Sequence, residues 1–239
     1  MISPSVSGVL SSVFNKLIET GSFPEIWKLG IITVVHKKDK KNDPNNYRPI
    51  TLLSTISKVF ERIIYNSIYD HIISNNLVYD KQSGFLPGHS TTDQILAITS
   101  YIFSKFEMNR DVRAIFLDIS AAFDSIPHYL LLHKLKSYGI TGNIHKLIAS
   151  YLTNRQVKVR INGTESRASD PNHINCGVPQ GSILGPLLFL LYINDLPENI
   201  SSLTYLFADD TSIYSTIDPQ NPYDSLVNLQ NDLYSINNW

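Results

Sequence analysis

Three carboxylates carry the chemistry that this sequence could do. Asp118 ends an apolar run, Val112 to Leu117. Asp209-Asp210 stands between Leu203–Ala208 and Thr211–Thr216, two runs with strand composition. A two-residue connection between strands forces a tight hairpin whose tip protrudes. Adjacent carboxylates repel each other, so the pair costs stability unless a cation sits there. If the strand before Asp118 lies beside the hairpin, three carboxylates converge. Such a cluster can hold two Mg²⁺ about 3.5–4 Å apart. One ion would lower the pKa of an attacking hydroxyl, and the other would stabilise leaving phosphate oxygens. A polar turn is the plain alternative for Asp209-Asp210, and the distance in sequence from Asp118 does not decide between them.

Charge is unevenly spread around these carboxylates. Residues 28–62 hold eight Lys/Arg against three acids, and residues 133–167 hold seven against Glu165 alone. Residues 168–239 hold eight acids and no Lys or Arg. A basic zone can meet a polyanion and an acidic zone can hold divalent cations, although solvated faces also produce such blocks.

The elements that must position the carboxylates follow from periodicity. A helix is expected over 4–20, with Val6, Val9, Leu10, Val13, Phe14 and Leu17 on one face. Gly30–His36 reads as a strand and 37–47 as a loop. After Ser54, an amphipathic helix is expected to bury Ile56, Val59, Phe60, Ile63, Ile64, Ile68 and Ile72. Thr91 with Gln94 looks like a capping box for a helix through Phe106. Val112–Leu117 is a strand, 127–138 and 142–153 are helices, and Gln156–Asn162 is a strand that turns at Asn162-Gly163. Gly177–Gly181 is a turn before a helix over about 183–195, and 222–238 is helical. Alternating strands and helices mean α/β or α+β.

Composition excludes several classes. Hydrophobic residues make up 43% and charged residues 17% of 239, so the chain can bury a core and is not disordered. Cys176 is the sole cysteine, which excludes a disulfide scaffold, fits a reducing intracellular setting and should pack as a small apolar residue. The longest apolar run, Ile183–Ile193, is too short to span a bilayer, and no basic-then-apolar leader is visible. Of the seven histidines, His36, His89, His128, His133 and His173 have no metal-ligand spacing between them.

The segment Val112-Arg113-Ala114-Ile115-Phe116-Leu117-Asp118-Ile119-Ser120-Ala121-Ala122-Phe123-Asp124 resembles motif A of reverse transcriptases. Gly177-Val178-Pro179-Gln180-Gly181-Ser182-Ile183-Leu184-Gly185-Pro186 resembles motif B, and Phe207-Ala208-Asp209-Asp210 resembles motif C. Upstream, Asn46-Tyr47-Arg48-Pro49-Ile50, Lys58-Val59-Phe60-Glu61-Arg62, Gln82-Ser83-Gly84-Phe85 and Ser90-Thr91-Thr92-Asp93-Gln94 are similar to the non-LTR (LINE-type) branch, most like jockey- and CR1-type elements.

That resemblance implies an α+β, right-hand polymerase: fingers and a palm, the palm a small antiparallel sheet backed by helices. Residues 1–22 would be a helical extension and 23–239 the reverse transcriptase domain. Fingers would cover about 23–110 and part of 135–175; palm would cover about 111–134 and 176–239. The thumb would be absent, making the chain a fragment or a decayed copy. Asp118, Asp209 and Asp210 would be the catalytic metal carboxylates, with the backbone carbonyl of Ile119 as a further ligand to two Mg²⁺, for which Mn²⁺ can substitute. Phe123 would pack under the incoming sugar, where a ring clashes with a 2′-hydroxyl. Pro179, Gln180 and Gly181 would line the nucleotide pocket, and Arg48 with Lys37 or Lys38 would contact the triphosphate. The implied partners are an RNA template, a DNA primer and dNTPs, with no membrane. The implied setting is the nucleus during target-primed synthesis and the cytoplasm as a ribonucleoprotein. An inactive RNA-binding remnant and an RNA-templated RNA polymerase are the alternatives, and the bulky Phe123 argues against the latter. Read without the motifs, Phe123 could be a core aromatic, Arg48 a surface residue, and Gln180 a satisfier of turn amides.

Overall fold

The computed structural model describes residues 4–37, 40–170 and 174–239. In chain order its first elements are α1 (Pro4–Thr20), β1 (Leu29–His36), β2 (Tyr47–Leu52), α2 (Thr55–Ser74), α3 (Thr91–Glu107) and β3 (Val112–Leu117). Next come α4 (Ala122–Ser125), α5 (His128–Ser137), α6 (Gly142–Leu152), β4 (Gln156–Ile161) and β5 (Thr164–Glu165). The last are α7 (Leu184–Ile193), β6 (Leu203–Phe207), β7 (Asp210–Thr216) and α8 (Pro222–Asn238). The class is α+β. Among the described residues, no helix is long and apolar enough to cross a membrane.

The chain forms two compact units, Met1–Leu77 with Ala121–Leu191, and Val78–Ser120 with Tyr192–Trp239. The first unit contains a sheet of order β2-β1-β4-β5, antiparallel except for the parallel pair of β1 and β4. Its core is aromatic where the helices meet. Phe14 of α1 lies 5.0 Å from Phe60 of α2, and Phe23 lies edge-on 5.0 Å from Tyr151 of α6. Fully burying a ring such as Phe60 contributes roughly 1.5–3 kcal/mol.

Two helices bury narrower faces than periodicity suggests. On α1 Phe14 alone is buried among the described side chains, while Val6, Val9 and Val13 are exposed. On α2 the buried set is Ser57, Phe60, Glu61, Ile64, Ile68 and Ile72, and Ile56, Val59 and Ile63 are exposed. The buried face turns toward Glu61 because that carboxylate finds its partners inside the protein. Oε2 accepts from the backbone amides of Ile183 (2.8 Å) and Leu184 (3.2 Å), and Oε1 accepts from the Ser57 hydroxyl (3.1 Å). Hydrophobicity alone could not reveal a buried acid. The stretch 47–52, read only as a motif, is the edge strand β2.

The second unit contains the antiparallel sheet β3-β7-β6. Side chains alternate across a strand, and the two faces of this sheet meet different helices. Tyr214 and Thr216 face α3, where Tyr101 Oη bonds Thr216 Oγ1 at 2.8 Å. Arg113 faces α8 and donates to Ser225 Oγ at 3.0 Å. The N-cap of α3 is Ser90, one residue before the expected Thr91; its hydroxyl accepts from Asp93 N at 3.2 Å. On α8, Leu229 is buried and Leu226 is exposed.

Candidate active site

The strand register brings the segments that carry the carboxylates together within the second unit. Leu117 stands opposite Thr211 across the β3–β7 seam. One residue further along each strand come Asp118, just past the end of β3, and Asp210, the first residue of β7, and the charge of Asp118 reaches Asp210. Phe207 pairs with Asp210, so the turn consists of Ala208 and Asp209, one residue earlier than the expected tip. Ala208 has φ of +57°, the left-handed backbone that a two-residue hairpin turn requires. Asp210 is therefore the first residue of β7, where its side chain follows the pleat.

Asp118 and Asp210 are exposed and Asp209 is half-buried. Burial, then the charge of Asp209, then that of Asp118, push the Asp210 carboxyl above its ordinary value. Both neighbours thus act on Asp210 electrostatically. Among the described residues, no three His, Cys, Asp or Glu side chains already converge closely enough to hold a metal ion. Like charges resist such convergence until a cation compensates them. The donors are all hard oxygens, the set that suits Mg²⁺ or Mn²⁺. The carbonyl of Ile119, next in the chain after Asp118, would add one more oxygen of the same kind.

The remaining expected residues belong to the first unit. Pro179 and Gln180 line a cavity of about 140 Å³ together with Thr51, Asp124, Arg155 and Cys176. Gln180 Nε2 donates to Asp124 Oδ2 at 3.0 Å. Burial raises the Asp124 carboxyl, and the Gln180 bond partly opposes that. The Gln180 backbone carbonyl accepts from Thr51 N at 2.7 Å, so the loop before α7 docks on edge strand β2. A Cβ on Gly181, where φ is +111°, would lie 2.7 Å from the Thr51 carbonyl, so only glycine lets that loop approach.

Phe123 is half-buried and stacks on Phe189 of α7, with ring centroids 5.3 Å apart and planes at 17°. Arg48 is exposed on β2 opposite Val35, and Lys37 continues β1 with its amide bonded to Asn46 O at 2.8 Å. Alternation puts Lys37 and Arg48 on the sheet face opposite to Ile32 and Thr51, which border the cavity. Lys38 and His173 lie outside the described residues.

Glu61, Gln82 and Arg155, to which the sequence assigns no role, support these positions, as does Asp124, which the sequence offers only as a cap of the next turn and not as a metal ligand. Glu61, Gln82 and Asp124 lie inside family motifs, but each has a partner distant in sequence. Arg155 was counted only as part of a basic zone, yet it is 4% exposed, donates to Tyr151 O at 3.1 Å and sits over the Tyr151 ring. Lys28, counted in the other zone, is equally buried and pairs with Glu25 at 2.7 Å. Cys176, expected to pack as an apolar residue, is exposed, because its segment edges the cavity.

Residues 35–239 match the family described as reverse transcriptase (RNA-dependent DNA polymerase). The chain belongs to the reverse transcriptase family. It is 36% identical over 236 residues to the probable RNA-directed DNA polymerase from transposon X-element of Drosophila melanogaster, covering 96% of this chain and 25% of that protein. It is 32% identical over 215 residues to the RNA-directed DNA polymerase from mobile element jockey of the same species, covering 85% and 23%. The chain thus spans about a quarter of the length of the relatives it matches. These relatives agree with the non-LTR, LINE-type identification made from the motifs. The reverse transcriptase fold also superposes on apo telomerase from Candida tropicalis, with a TM-score of 0.64 at 12% identity, over 99% of this chain and 47% of that one.

Proposed function

We propose that this chain is the polymerase core of a non-LTR retrotransposon reverse transcriptase, adding dNTPs to a primer 3′-hydroxyl along an RNA template. The observation that carries the reading is the pairing of Leu117 with Thr211 across β3 and β7, which leaves the next residue, Asp118, near enough to Asp210 for its charge to act on that carboxyl. Those three side chains, with the Ile119 carbonyl, would hold two Mg²⁺ or Mn²⁺. When bound, the ions supply Lewis acidity to the attacking hydroxyl and the leaving phosphate oxygens.

The protein's own part is positioning and charge. Pro179, Gln180 and Gly181 would border the incoming base and sugar. Asp124 fixes the Gln180 side chain through its hydrogen bond. Phe123, braced from one side by Phe189, would present its ring to the sugar. Arg48 and Lys37 are exposed on the face of the β1–β2 ribbon opposite to the cavity-lining Ile32 and Thr51, so a triphosphate that they meet would lie outside that cavity. With Lys28 and Arg155 buried, the grip on template and primer phosphates falls to the remaining basic side chains.

The test is primer extension on poly(rA)/oligo(dT) with Mg²⁺ or Mn²⁺. Extension by the wild-type chain and none by Asp209→Asn, with RNA binding retained, supports the reading. Equal extension by both would sink it.

A further inference from the structure

We propose that Gln82 is a positioning residue that holds the Ala208-Asp209 turn in the conformation its carboxylates need to bind a divalent cation. The inference rests on the reading that Asp118, Asp209 and Asp210 form the cation site. It adds a part from outside the three strands that bear those residues.

The segment before α3 runs alongside β6 like a short extra strand. Gln82 bridges Leu206 in parallel, Ser83 N donates to Leu206 O at 2.9 Å, and Leu206 N donates to Lys81 O at 3.0 Å. This docking carries the Gln82 side chain under the turn, where the residue is 2% exposed. Its Oε1 accepts from two backbone amides, Gly84 N at 2.7 Å and Ala208 N at 3.2 Å. Both partners are donors, so the oxygen assignment at Gln82 is fixed by chemistry.

The amide it captures belongs to the residue with the least favourable backbone in the hairpin. Ala208 is held at φ +57°, a region that L-residues with a Cβ avoid. Rotation of the peptide before Ala208 would swing Asp209, the next residue, away from Asp210. A second contact blocks that rotation. A Cβ on Gly84 would lie 2.0 Å from Ala208 N and 2.6 Å from Ala208 Cα, so the two backbones touch directly. Gln82 and Gly84 together clamp the turn from beneath.

The choice of an amide over an acid also fits. Gln82 Nε2 is buried with no hydrogen-bond partner among the described residues, so the residue serves through its oxygen. A carboxylate offers the same acceptor but would add a buried charge next to a turn that already carries two.

The test uses the whole chain and reads geometry and cation affinity without requiring turnover. Free Mn²⁺ is titrated by electron paramagnetic resonance, and Ala208 amide exchange is followed by NMR. Gln82→Met keeps the volume and removes the acceptor. It should leave the melting temperature within a few degrees, speed Ala208 exchange at least tenfold and weaken Mn²⁺ binding by about tenfold, the usual effect of losing a residue that orients a ligand. Gln82→Glu should keep Ala208 protected and bind Mn²⁺ no more weakly than wild type. A merely structural role would lower the melting temperature of Gln82→Met and leave its Mn²⁺ affinity unchanged, and that result overturns the proposal. If Gln82→Met does not fold, Gln82→Asn, one methylene too short to reach both amides, is read the same way. Fast exchange of Ala208 in the wild type would overturn the proposal without any variant. Asp209→Asn separates the two readings. If it binds Mn²⁺ like wild type, the cation site itself has failed. If it binds weakly while Gln82→Met binds normally, only the role of Gln82 has failed.

Discussion

Asp118 and Asp210 flank the last pair of the β3–β7 seam, Leu117 and Thr211, one residue beyond it along each strand. Nearby like charges are unfavourable, and the Asp210 carboxyl is raised partly for that reason. A divalent cation relieves the repulsion and so binds the folded chain selectively. Mg²⁺ should therefore raise the melting temperature of the wild type, by an amount that grows with the ratio of its concentration to Kd. Asp209→Asn should lose most of that rise, and chelation should reverse it. Equal Mg²⁺ shifts in wild type and variant, measured by differential scanning fluorimetry, would count against the site.

The Asp124 carboxyl gives a pH signature away from the carboxylate cluster. Burial raises its folded pKa above the unfolded value, against the opposing bond from Gln180. The folded state therefore binds the proton more tightly than the unfolded chain. Stability falls as pH rises from the ordinary Asp value, about 3.9, through the raised one, and stays lower above it. Asp124→Asn keeps an acceptor for Gln180 and removes the charge. It should melt higher than wild type at pH 7 and equal to it near pH 3. A variant that melts lower than wild type at pH 7 would mean that the charged Gln180 bond outweighs desolvation.

Glu61 caps the amides of Ile183 and Leu184 at the start of α7 from inside the first unit. Glu61→Ala leaves those buried donors without partners and should cost about 2–4 kcal/mol in urea denaturation. Glu61→Gln keeps one acceptor and should cost less than half as much. Equal losses would show that packing, not capping, sets its importance.

Phe123→Val removes the ring stacked on Phe189. The lost ring pair should lower stability by about 1 kcal/mol. If the ring gates the sugar, ribonucleotide incorporation relative to deoxyribonucleotide should rise by about tenfold or more, the scale on which a pocket discriminates a small group. Unchanged discrimination with lowered stability would leave Phe123 a packing residue.

Cys176 is exposed on the cavity that Pro179 and Gln180 line, and it is the sole thiol of the chain. Iodoacetamide should therefore modify one site. A matched dNTP with primer–template should slow that reaction if the cavity receives the nucleotide. An unchanged alkylation rate at saturating dNTP would place the nucleotide elsewhere.

Local signals in the sequence suffice for the elements and the family. The run Val112–Leu117 is β3 to the residue, and the helices at 127–138 and 142–153 fall within a residue or so of α5 and α6. These segments declare themselves because apolar periodicity and Gly or Asn stops are local signals. The motifs around Asp118, Gln180 and Asp209-Asp210 likewise identified the family. The tertiary structure decided what depends on partners distant in the chain. The hairpin turns at Ala208-Asp209 because β6 and β7 pair in that register and Gln82 holds the Ala208 amide. The helix α2 buries Glu61 because the amides at the start of α7 await it. Lys28 and Arg155 leave the basic surface because distant segments pack over them, although their polar partners, Glu25 and the Tyr151 carbonyl, lie only three and four residues away. A buried polar group is stable only beside its partner, and where that partner lies far along the chain, no local pattern announces it.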